Sequence, residues 1–172
     1  MRTEQVIATL MSISVSSIPM AANLPESLRP ASEDVVLLQC KATGVQIYTC
    51  GARKDDPYKY EWIFKAPEAE LFNSSGKRIG KHYAGPTWES DDGSKVVGRV
   101  KRQENGPDPN AIPWLLLTAK STSGKGVFAK TTSIQRLDTI GGRAPPAGCD
   151  ASLAGKELRV PYTATYIFFS EQ

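Results

Sequence analysis

From residue 34 onward the chain alternates apolar and polar side chains at every second position, in runs of the length that strands use. Val45-Gln46-Ile47-Tyr48-Thr49 alternates, as does Tyr60-Glu61-Trp62-Ile63-Phe64, where three aromatics share one face. Lys95 to Val100, Val127 to Ala129 and Ser133 to Leu137 continue the series. Tyr162 to Phe169 closes it, with Tyr162, Ala164, Tyr166 and Phe168 facing one way. Trp114-Leu115-Leu116-Leu117-Thr118-Ala119 is apolar on both faces, as a strand covered on both sides would be. Turn signals separate the runs at Lys41–Gly44, Asn73–Gly76, Asp91–Ser94 and Ser123–Gly126, with a proline-rich loop at Gly106–Asn110.

Fourteen glycines and 12 prolines in 172 residues favour many short elements over long helices. Two helical turns fit the pattern. Pro67 would open one over Glu68–Leu71, and Asp150 would cap another over Ala151–Ala154, ending at Gly155. The expected fold is all-β, a single-domain antiparallel β-sandwich or barrel with one or two short helical turns. Trp62, Leu116, Ile134 and Tyr166 are its expected core.

Residues 1–22 read as a secretory signal peptide, with Arg2 in the basic region, an apolar stretch from Val6, and small residues at Ala21 and Ala22 before the cut. The alternative is a loosely packed native N-terminus. Residues 23–172 would then form one all-β domain, secreted or periplasmic. Three cysteines leave one unpaired in an exported protein. The favoured bridge is Cys50–Cys149, since both lie beside glycine in loop-like sequence, while Cys40 sits in the apolar run from Val35 and reads as a buried free thiol.

Several chemistries are excluded or weak. One histidine and no CxxC pair argue against a metal site. Gly124-Lys125-Gly126-Val127-Phe128-Ala129 matches a loose dinucleotide pattern but lacks the strand before it and the helix after it, so no cofactor is expected. A net charge of +3 without a basic run gives no case for nucleic acid, and no apolar stretch reaches membrane-spanning length.

The stretch Gly80 to Glu89 gathers His82, Tyr83, Trp88 and Glu89, a mixture of aromatic faces and directed polar groups that suits a ligand. Gln46 and Tyr48 on one strand face and Arg136, with its planar donor fork, complete the candidate site. The bland alternatives are a tight turn at Gly85-Pro86, a core Trp88, a satisfied surface His82 and a locally paired Arg136. Three functions follow. The first is an exported β-domain binding a small molecule, glycan or envelope component. The second is an enzyme, a hydrolase, lyase or isomerase, using His82 with Glu89 or a nearby tyrosine. The third is a structural or interaction module.

Longer strings carry a resemblance. Gly44 to Cys50, Trp62 to Ala69, Ile79 to Glu89 and Asp92 to Gly98 occur in order, followed by Ile112 to Leu117, Ile134-Gln135-Arg136, Gly148-Cys149-Asp150 and Arg159 to Ala164. Together these resemble the secreted bacterial and fungal family catalogued as domain of unknown function 3455, over nearly all of residues 30–170. The resemblance implies export and one compact domain, and it implies no activity. The label malate dehydrogenase, carried by some fungal relatives, has no Rossmann unit to rest on here. Relatives often carry histidine where this chain has Cys40, so no metal or acid–base role is expected of that position.

Overall fold

The computed structural model describes residues 24–172; the expected signal peptide over residues 1–22 lies outside the described residues. Eight strands are laid down in order: β1 (Val35–Ala52), β2 (Tyr60–Phe72), β3 (Arg78–Tyr83), β4 (Thr87–Ser90), β5 (Lys95–Glu104), β6 (Trp114–Ser123), β7 (Ser133–Gly141) and β8 (Glu157–Ser170). Each pairs antiparallel with the next, and β8 returns to pair with β1, so the sheet closes into a barrel. Closure leaves no unpaired edge along the ring. Two 3-10 turns, Glu26–Leu28 and Ala151–Leu153, are the helical structure; Asp150 caps the second by accepting from the Ser152 N–H at 2.8 Å. Among the described residues no helix is long and apolar enough to cross a membrane.

Period-two alternation fixes which side chains enter the barrel. In β1 the even positions Cys40, Ala42, Gln46 and Tyr48 point inward. In β2 a bulge at Lys65 lets Tyr48 pair with Phe64 while Ile47 pairs with Ala66. The inward set therefore switches from Trp62 and Phe64 to Pro67, Ala69 and Leu71.

Three local expectations change. Lys41–Gly44 is no turn but the middle of β1, because Gly44 serves close packing: a Cβ there would collide with the Glu68 carbonyl and Ala69. Pro67–Leu71 is strand rather than helical turn; its alternating burial shows the two-residue period overriding the proline signal. Val127–Ala129 is a loop whose Phe128 plugs one end of the barrel against Phe168, ring centroids 4.5 Å apart. Asp92 holds that plug. Its carboxylate accepts from Ser94 Oγ at 2.6 Å and from the Val127 N–H at 2.9 Å, and Ser94 Oγ accepts from the Phe128 N–H.

Of the expected core, Leu116, Ile134 and Tyr166 are buried. Trp62 is only half-buried, because the β1–β2 hairpin runs past the barrel rim; its Nε1 donates to the Ala147 carbonyl. The two faces of β6 serve two cores. Leu115 and Leu117 enter the barrel, while Trp114 and Leu116 face outward and pack with Leu137 under Leu28 of the N-terminal segment. That segment is tied down by Gln135, whose Nε2 donates to the Leu28 carbonyl at 2.7 Å.

Candidate functional site

Opposite the Phe128 plug the barrel is open. There the interior holds a cavity of about 600 Å³, within the range that small-molecule sites occupy. The disulfide Cys50–Cys149, with Cα atoms 5.5 Å apart, ties the loop after β7 to the end of β1 beside this opening, and Cys40 is free and buried. The same region is tied twice more: the Tyr48 hydroxyl donates to the Gly142 carbonyl after β7 at 2.6 Å, and the Ile112 N–H of the loop before β6 donates to the Gly141 carbonyl at 2.9 Å.

Register explains the floor of the cavity. His82 on β3 lies directly opposite Trp88 on β4, so their rings stack at 4.3 Å with an interplanar angle of 11°. Tyr166 meets both rings edge-on, at 5.1 and 5.2 Å. His82 is 3% exposed, not a surface residue, because its neighbours Lys81 and Tyr83 take the outward positions. Its Nδ1 donates to the Thr87 carbonyl at 2.9 Å, since a carbonyl only accepts, which leaves Nε2 unprotonated. Burial pushes its pKa down to about 3, helped by the charge of Arg136 and opposed by the Thr87 bond, so the ring is neutral.

Across the barrel, Arg136 on β7 pairs in register with Tyr166 on β8 and Leu115 on β6. Its Nε and Nη2 donate to the Pro113 carbonyl at 3.0 and 2.8 Å. The Gln46 and Tyr166 side chains and Arg136 surround the Tyr162 hydroxyl, whose pKa burial drives upward. The Tyr166 hydroxyl lies between Tyr162 and Arg136, and Trp88 Nε1 is buried without a hydrogen-bond partner.

Five of the seven residues singled out in the sequence therefore line one cavity: Gln46, Tyr48, His82, Trp88 and Arg136. Tyr83 and Glu89 do not join them. Both face outward, where the Tyr83 hydroxyl donates to Glu89 at 2.8 Å and Lys81 and Lys95 flank the same carboxylate at 3.6 and 3.4 Å. The wall of the barrel thus separates His82 from Glu89, and an acid–base pair between them has no geometry to act through. The tyrosine beside His82 is Tyr166. Tyr166 serves both the core, where the alternation of Tyr162 to Phe168 places it, and the cavity wall, together with Leu115, Leu117 and Pro67, which nothing in the sequence marks as site residues. Among the described residues no group of three or more His, Cys, Asp or Glu side chains could hold a metal ion.

No curated protein matches the sequence. The profile of the family described as "Protein of unknown function (DUF3455)" matches residues 30–170, a span that takes in all eight strands, and the chain belongs to that family.

Proposed function

We propose that this protein is an exported single-domain barrel that captures a small organic molecule in its open cavity. The observation that carries this reading is the convergence of Gln46, Tyr48, His82, Trp88 and Arg136 on one open cavity of about 600 Å³. An apolar space with a few directed polar groups is what small-molecule sites share.

Most of the remaining wall, including Pro67, Leu115 and Leu117, is apolar. That suits a compact, largely apolar molecule better than a glycan, each of whose buried hydroxyls would require a partner. Enzymatic use is less well supported, because burial makes His82 a weak base and, among the described residues, no carboxylate lines the cavity to orient it. The disulfide supports an extracellular or periplasmic location, since such bonds persist in oxidising compartments.

A thermal-shift screen of organic acids, aromatic metabolites, glycans and divalent metals tests the reading. Val100 lies on the rim at 50% exposure, so Val100→Trp fills the mouth without disturbing the buried core. A ligand of the cavity raises the melting temperature of the wild type and not of Val100→Trp. Hits that stabilise both proteins equally would move the site elsewhere and refute the proposal.

A further inference from the structure

Arg136 brings a full positive charge into the cavity, and nothing in the barrel answers it. None of the ion pairs among the described residues includes Arg136. The other cationic residue at the cavity, Lys65, is paired outside with Glu157. Among the described residues no Asp or Glu lines the space, and the neighbouring histidine and tyrosines are neutral. The Pro113 carbonyl occupies the Nε and Nη2 side of the guanidinium and supplies no negative charge, and the Tyr166 hydroxyl beside it is neutral as well. A partly buried, uncompensated charge is costly unless something of opposite sign arrives.

We propose that the ligand is an organic monocarboxylate with an apolar body. The inference rests on the small-molecule reading above. Its carboxylate accepts from Arg136, with the neutral Gln46 and Tyr166 side chains in the same wall, and its body lies along Leu115, Trp88 and Pro67 toward the Val100 rim. One guanidinium flanked by neutral donors matches a single negative charge, and its planar fork matches the carboxylate. The stacked His82–Trp88 pair gives an aromatic floor that accepts aliphatic or aromatic bodies alike.

The test is calorimetric titration of the full chain near neutral pH with matched pairs: octanoate against octanol, and naphthoate against naphthylmethanol, with octylamine as the cationic counterpart. The expected wild-type order is acid over alcohol over amine, with the acid at least about tenfold tighter than its alcohol, as a charge-assisted hydrogen bond provides. In Arg136→Gln, which can still donate to Pro113, the acid loses that advantage and the alcohol binds as before. Acid and alcohol binding equally to the wild type would overturn the carboxylate assignment and leave the small-molecule reading standing. An acid preference undiminished in Arg136→Gln would also overturn it. Failure of every probe to bind the wild type would remove both. The wild-type order needs no variant, so the inference remains testable even if Arg136→Gln does not fold.

Discussion

His82 is a histidine that the fold keeps from ionising. The unfolded chain takes up a proton there near pH 6.5, whereas the folded protein does so only near pH 3. Stability from this residue is therefore complete above about pH 6.5. It declines as pH falls through the window down to about 3, with a limiting slope on the order of 1.4 kcal/mol per pH unit. His82→Asn keeps a donor for the Thr87 carbonyl without the titration, so its urea midpoint should vary less between about pH 4 and 6.5 than the wild type's. Parallel pH profiles for the two proteins would contradict this. Asp92 titrates in a lower window: hydrogen bonds from Ser94 and Val127 hold its carboxyl down to about 2, so its contribution is complete above the ordinary value of 3.8 and is lost as pH falls from there through about 2. The sequence places polar Lys81 and Tyr83 around His82, which invites a surface assignment. Alternation within β3 inverts it, since both neighbours point away from the barrel.

At the scale of elements, β6 was legible because an unbroken Trp-Leu-Leu-Leu run has only one sensible use, and its two faces do enter two cores. What covers the outer face was not legible. The covering residue, Leu28, belongs to a turn of three residues preceding the first strand and carries no periodicity. Leu28 is 0% exposed and Leu116 3%, so Leu28→Ala and Leu116→Ala should each cost roughly 2–5 kcal/mol in urea denaturation. The double variant should cost less than their sum, because the two side chains share one small cluster. A negligible effect of Leu28→Ala would show that the N-terminal segment does not cover β6 in solution. The continuity of β1 through Lys41–Gly44 escaped sequence reading for a related reason: Gly44 resembles a turn glycine, while its role is to let β1 and β2 approach.

For the whole molecule, strands and their chemistry could be read, but not the choice between sandwich and barrel. That choice depends on β1 meeting β8, a pairing between opposite ends of the chain that no local pattern encodes. The cysteine assignment was readable, because glycine-flanked cysteines at element ends differ visibly from one inside an apolar run. Burial also pushes the Cys40 thiol up to about 12, so iodoacetamide should leave the native oxidised protein unlabelled and modify Cys40 only after unfolding. Replacing Cys50 and Cys149 together with alanine should lower stability by roughly 4–5 kcal/mol on the chain-entropy account, measured as a shift in denaturation midpoint.

The β1–β8 seam also has a consequence in time. Every other pairing joins strands adjacent along the chain, which can zip as hairpins within microseconds, but the seam must wait until the whole ribbon has curled. The disulfide stands at one end of that seam: Cys50 is its residue on β1, and the Cys50 N–H bonds the Lys156 carbonyl just ahead of β8. Once oxidised, it holds the two late partners within reach before the barrel exists. The bridge therefore acts on the closing step of folding, and a chain refolding in a reducing solution pays the full search for its own other end.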